Sequence, residues 1–177
     1  MNDLNHRMAA RANRKTQDLI HARKLIGQTV TALVHNPYYF NDQICRDDAG
    51  SIQWQCAEHL TVSMHTLSDG ESVGADLLPI DTPPTFEIEP GAICSWRIEC
   101  LLTRLSATHL KNTVITDVRG MVDTRLGPSN HLVGFKTVFS TEDFIIFLNQ
   151  GDQSVVLLNE LPADLEGVVT RWVTTID

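Results

Sequence analysis

At 177 residues, 42% hydrophobic and 20% charged, the chain has the length for one folded domain that buries roughly 70% of its unfolded surface. Its composition argues against a disordered segment or a disulfide-stapled miniature. The formal net charge is −8, from 14 basic and 22 acidic residues, and it is spread unevenly. Residues 1–24 carry Arg7, Arg11, Arg14, Lys15, Arg23 and Lys24 against Asp3 and Asp18, a net of +4, and the other 153 residues carry 8 basic against 20 acidic groups, a net of −12. The sequence is therefore an electrostatic dipole along its own length.

From Asp3 to Asn36 the apolar positions Leu4, Met8, Ala12, Leu19, Ala22, Ile26, Val30 and Leu33 recur at threes, fours and sevens, which predicts one long N-terminal helix over residues 1–36. Asn2 or Asp3 caps its start and Asn36-Pro37 stops it. Its second half is apolar enough to pack on a sheet, and Gly27 marks a bend or a close approach.

After Pro37 the period falls from 3.6 to 2, and residues 37–177 read as a β-rich body. Ile52, Trp54 and Cys56 alternate with glutamines, and Leu60, Val62 and Met64 continue the phase. Further strands are predicted at 85–89, 93–102 (Cys94, Trp96, Ile98 and Cys100 on one face), 112–118, 131–139, 143–149, 153–159 and 168–176. Asn149-Gln150-Gly151-Asp152 predicts a hairpin. Residues 67–84, with Asp69-Gly70, Gly74, Pro79, Pro83 and Pro84, read as an extended loop or arm available for outside contacts. Pro162 to Gly167 reads as a single helical turn. The expected fold is α+β and mainly antiparallel: a sandwich or barrel of about eight strands with the helix docked on it.

No stretch approaches the roughly 20 apolar residues that span a bilayer, and the N-terminus lacks the apolar centre of a signal peptide. The expectation is a soluble, non-secreted chain, cytoplasmic or within a virion, with no membrane partner. Its four cysteines are expected reduced, with Cys56, Cys94 and Cys100 buried on apolar strand faces.

Local signatures for phosphate loops, nucleophile elbows and metal helices are missing from the sequence. Cys56, His59 and His65 are zinc-competent types, but on one strand Cys56 faces away from both histidines. They converge only if the strand breaks near Ala57, so neither metal nor cofactor is expected. Asp117, Arg119 and Asp123 around Gly120 form the best acid–base candidate, with Asp117 and Arg119 beside Ile115 on one strand face and His109 and His131 near enough in sequence to turns to join them. Three adjacent aromatics, Tyr38, Tyr39 and Phe40, cannot all face one core, and at least one is expected at an interface.

These features favour a non-catalytic, self-assembling structural subunit, such as the neck, tail or coat component of a viral or phage particle. Arg7, Arg11, Arg14 and Lys15 would meet the acidic body of the next copy, or of other structural subunits, to form a ring or stack. The alternative is a small enzyme or ligand-binding barrel with a pocket between helix and sheet, using Asp117, Arg119, His59 and His65. Nucleic acid on the basic helix is possible but not favoured, because a −12 body repels a polyanion.

Overall fold

The computed structural model describes residues 2–124, 130–151 and 153–176, with side chains from residue 13 onward. The chain opens with α1 (Asn2–Arg23) and continues almost entirely as β-structure: β1 (Val30–His35), β2 (Tyr38–Phe40), β3 (Gln43–Ile44), β4 (Ile52–Cys56), β5 (Thr61–Thr66), β6 (Val73–Asp76), β7 (Phe86–Glu87), β8 (Ile93–Trp96) and β9 (Glu99–Cys100). A four-residue helix α2 (Leu101–Arg104) precedes β10 (Ile115–Thr124), β11 (Asn130–Phe139), β12 (Phe144–Gln150), β13 (Gln153–Leu158) and β14 (Val169–Val173). The strands form three sheets, ordered β6-β5-β4-β1-β9, β13-β12-β11-β10-β14 and β3-β2-β8-β7. Every pairing between these strands is antiparallel. The mainly antiparallel expectation holds, but among the described residues fourteen strands replace the expected eight or so, and no sheet closes on itself.

The helix predicted to reach Asn36 ends at Arg23. A tightened turn follows, with Lys24 N–H on His21 O and Leu25 N–H on Ala22 O, and Gly27 takes a left-handed φ of 82° while its N–H binds Ile115 O at 2.8 Å. Glycine adopts that conformation without the Cβ penalty, so Gly27 is where the helical path is abandoned. The rest of the predicted helix is β1. Its register against β4 slips between Val30 and Ala32, and this bulge puts the buried side chains at Val30, Leu33 and His35. One inserted residue thus turned a period of 2 into a spacing of three that imitates a helix.

The core lies between the first two sheets and the end of α1. Val30, Leu33, Ile52, Trp54, Val62 and Met64 come from the first sheet, Val118, Leu132, Phe135, Phe139 and Phe147 from the second, and Leu19, Ala22 and Leu25 from α1 and its turn. Trp54 meets Phe139 across the layers at a centroid distance of 6.0 Å. Helix α1 comes close because β10 has Gly120 there: a Cβ at that position would stand 2.9 Å from Leu132 Cδ1 and 3.3 Å from Leu19 Cδ1.

Three other expectations change. The strand predicted over 93–102 stops at Trp96. The chain then leaves the third sheet, pairs briefly with β1 as β9, and enters α2, so Ile98 and Cys100 are exposed rather than on a shared apolar face. Residues 162–167 form no helical turn; the chain has no regular structure there until Val168 N–H closes a turn on Leu165 O beside Gly167 at φ 75°. The arm at 67–84 contains β6, and residues 78–81 after it bond back to the body. Ser63 Oγ donates to Leu78 O, Ile80 N–H to Gln53 Oε1 and Asn36 Nδ2 to Asp81 O. The β12–β13 hairpin forms as expected, with Gly151 at φ 65°; Asp152 lies outside the described residues.

Candidate functional site

The third sheet carries the residues that stand out most clearly. In register, Phe40 opposes Cys94 and Cys94 opposes Phe86, while Tyr38 opposes Trp96. Alternation places all five on one face. Trp96 lies between two rings, 5.3 Å from Tyr38 and 5.9 Å from Phe86 by centroid, both tilted, the geometry that aromatic quadrupoles prefer. This face is only partly covered: Phe40 is 44% exposed, Phe86 49% and nearby Ile88 65%. Acidic groups adjoin it. Asp42 follows β2 and forms an ion pair with Arg97, and Glu87 and Glu89 are exposed on and after β7.

The predicted interface aromatics divide by strand alternation. Phe40 is exposed, and Tyr38 is half-buried with its hydroxyl 2.9 Å from Cys94 Sγ. Tyr39 points to the other face, where it is buried, donates to Glu99 Oε1 and lies under the Arg97 guanidinium at 4.4 Å. The bond to Glu99 raises the Tyr39 phenol above its ordinary value, because it favours the protonated form.

The basic helix is partly committed to its own body. Arg14 pairs with Asp18 at 3.6 Å, Lys15 donates to Asn130 O, and Arg23 donates to Val118 O at 2.5 Å with Asp117 Oδ1 at 3.8 Å. Arg14 and Lys15 were expected to meet a neighbouring copy; instead their partners include their own helix and β11. The side chains of Arg7 and Arg11 lie outside the described residues.

Between α1 and the β5–β6 hairpin lies a polar seam that sequence reading missed. Asp18 is buried and accepts the Ala75 N–H at 3.1 Å. His21 Nδ1–H donates to Ala75 O at 2.9 Å, which leaves Nε2 to accept from Gln17 at 2.8 Å. His65 on β5 faces Asp76 on β6 at 3.8 Å. Further along, His131 lies 3.4 Å from Ser72 Oγ and 3.3 Å from Glu71 Oε2. Ser72 is itself buried and its N–H is held by Asp69, so this trio ties a turn to β11. The hidden signal was the i, i+3 pair Asp18 and His21 on the helix face that meets β6.

The zinc-competent residues do not converge. The chain does break after Cys56, at a 3-10 turn over Ala57–His59 with Glu58 and His59 at φ 60° and 64°. That break sends Cys56 into the core, where desolvation pushes its thiol up to about 11, and leaves His59 exposed. Among the described residues no group of three or more His, Cys, Asp and Glu is placed to hold a metal ion.

Of the acid–base candidate, Asp117 and Arg119 do pair, but the histidines do not join them and Asp123 accepts from Thr170 Oγ1 at 2.6 Å. A bulge between Ile115 and Asp117 puts Ile115 in the core and Asp117 with Arg119 on the outer face of the second sheet. Arg119 Nε reaches Asp117 Oδ2 at 2.6 Å, both partly exposed. His109 pairs with Asp143 and His131 with Glu71, away from Asp117.

Among the described residues, surface hollows adjoin both α1 and α2. The larger, about 590 Å³, is lined by Thr16, Leu19, Ile20, Arg23 and Lys24 of α1 and its turn and by residues 174–176. The smaller, about 100 Å³, lies beside α2 between Arg46, Arg104 and Ser154. No helix among the described residues is long and apolar enough to cross a membrane. Compared with known protein families, curated proteins and solved structures, the chain finds no match in any of the three.

Proposed function

We propose that the chain is a non-catalytic subunit that assembles with copies of itself. The observation that carries this reading is the solvent-facing aromatic face of the third sheet, where Phe40, Phe86 and Ile88 expose apolar surface beside Asp42, Glu87 and Glu89. Apolar patches with a polar rim are features of association surfaces. The complementary element is α1, with Arg7 and Arg11 in its first half: arginines meet both carboxylates and aromatic faces well, and residues 1–24 as a whole carry a net +4. A helix of one copy on the third sheet of the next is a heterologous contact, which repeats to give a ring or a stack. We read the two larger sheets as an open sandwich that holds these two surfaces apart. A neck, tail or coat component of a viral or phage particle is the class of assembly this geometry suits.

Burying Phe40 and Phe86 would contribute roughly 2 kcal/mol each. Sedimentation velocity tests the reading with wild type, Phe40→Ser with Phe86→Ser, and Arg7→Glu with Arg11→Glu. The expected result is an oligomeric wild type and two monomeric, folded variants. A monomeric wild type, or an oligomer untouched by either pair of substitutions, refutes it.

The larger hollow favours a second reading, a ligand-binding domain with its pocket beside α1, as Leu19, Ile20 and Ile176 give it apolar walls and Arg23 and Lys24 a cationic side. A folded monomer that retains an apolar anion through gel filtration would select this reading over assembly.

A further inference from the structure

The outer face of the second sheet gathers cations in a protein of net charge −8. Val118 on β10, Phe135 and Phe139 on β11, and Ile145 and Phe147 on β12 all belong to the core. Alternation therefore turns Asp117, Arg119, Lys136 and Phe144 to the other side. Arg119 and Lys136 stand directly opposite one another in the β10–β11 register. Like charges so placed on neighbouring strands destabilise a sheet, so the pair calls for a compensating partner.

Little internal compensation is available. The Asp117 carboxylate is engaged on both oxygens by arginines, Oδ2 by Arg119 at 2.6 Å and Oδ1 by Arg23 at 3.8 Å. The Lys136 ammonium sits instead over rings, 3.8 Å from the centroid of Phe144 and 5.7 Å from that of Trp172. Desolvation and then the Arg119 charge hold its amine below the ordinary lysine value, while Asp117 acts in the opposite direction. Three cations thus surround one carboxylate, with Trp172 reaching across from the edge strand β14. Lys24 follows Arg23 in the adjoining turn and is exposed.

We propose that Arg23, Arg119 and Lys136, walled by Phe144 and Trp172, form a binding site for a phosphate group. Arginine supplies planar donors matched to phosphate oxygens and lysine a compact charge. An arriving dianion would relieve the opposed Arg119–Lys136 pair, and Asp117 would be its competitor for the two guanidiniums. The phosphate could be free or part of a nucleotide, whose base would then stack on an aromatic wall. This site is on a different sheet from the proposed assembly face and does not depend on it.

The test is calorimetric titration of the full chain at neutral pH and fixed ionic strength with inorganic phosphate and, separately, a nucleoside monophosphate. Saturable binding at one site is expected for both. Equal affinities identify the phosphate as sufficient, and a tighter nucleotide shows that the rings hold its base. Lys136→Met should weaken binding about tenfold or more, as expected for loss of a charge-assisted contact. Arg119→Gln, at an exposed position, should do likewise without disturbing the aromatic packing. Asp117→Asn should tighten binding several-fold by removing the competitor. The proposal is overturned by the absence of saturable binding for either ligand up to about 10 mM, by binding of the nucleotide without phosphate, or by affinities unchanged in both Lys136→Met and Arg119→Gln.

Discussion

Replacing Asp18 separates the hydrogen bond it accepts from the charge it buries. The residue is 7% exposed and its carboxylate receives the Ala75 N–H. Burial raises its pKa, while the Ala75 bond, Arg14 and the two nearby histidines pull it the other way. Asp18→Ala deletes a charge-assisted bond of roughly 1.5–3 kcal/mol. It regains about 0.5 kcal/mol of helix propensity and the cost of burying the charge. A net loss of about 1.5 kcal/mol lowers Tm by about 3–6 °C in a chain of this size. Asp18→Asn keeps an acceptor for Ala75; it loses the attraction to Arg14, whose guanidinium is exposed, and to the histidines, worth about 0–1 kcal/mol, but also sheds the cost of burying the charge, so its stability at pH 7 should stay within about 0.5 kcal/mol of wild type. The sign of the pH effect follows from the raised folded-state pKa. The native state takes up the Asp18 proton more readily than the unfolded chain, so wild type gains on Asp18→Asn as pH falls through the folded value, and the gain is complete below about 3.9. Asp69 and Asp143, both lowered, give the opposite slope but are common to the two proteins. Urea unfolding of the three proteins between pH 7 and pH 4 decides it. An Asn variant as unstable as the Ala variant, or a wild-type advantage that shrinks as pH falls, would refute the reasoning.

Gly50 has φ 69°, and a Cβ there would lie 2.3 Å from Asn36 O. Gly50→Ala should cost about 1–2 kcal/mol for the left-handed backbone and about 1 kcal/mol for each bond Asn36 makes to Ser51 and Asp81. Gly91→Ala, at φ 84° with nothing within 4 Å, should show only the first part, and equal losses on urea unfolding would contradict this. Among the cysteines, Cys100 should react first with a thiol reagent. It is exposed, and hydrogen bonds from Thr103 and the Leu102 N–H hold its thiol below the ordinary value. Cys56, pushed up to about 11 by burial, should label only after unfolding; native labelling of Cys56 at the rate of Cys100 would show that its site opens readily.

Sequence periodicity captured strands whose two faces differ. Trp54, Val62 and Met64 are buried at the alternating positions expected of them, and the glycine turn between β12 and β13 set that hairpin. Periodicity failed where geometry inserts a residue. The bulge in β1 spaced Val30 and Leu33 as a helix would, and the bulge in β10 moved Ile115 away from the face of Asp117 and Arg119. It also failed at Trp96, because leaving one sheet for another depends on distant pairing partners. The aromatic run at 38–40 was legible as a surface feature, since no strand buries three successive side chains on one face. Its real companions, Phe86 and Trp96, are more than forty residues away in sequence, and only the pairing of β2, β8 and β7 reveals them. The Asp18 seam and the Arg119–Lys136 opposition are likewise products of register.

In the proposed assembly, the cations at the front of the chain divide between the two halves of one helix. At its C-terminal end, Arg14, Lys15 and Arg23 bond within the chain, yet these partly exposed contacts contribute little each. What holds α1 is Leu19, Ala22 and Leu25, at 2%, 0% and 0% exposure, and apolar packing of that kind is not screened by salt. Raising ionic strength should therefore leave α1 docked while weakening contacts that rely on long-range attraction between copies. In the proposed oligomer, the salt dependence of the mass would then report the charges of Arg7 and Arg11 against an acidic neighbour, and not detachment of the helix. Circular dichroism that stays constant while the sedimentation coefficient falls with salt is the outcome this division requires. A loss of helix in parallel with a loss of mass would mean that the same cations fasten α1 to its own body.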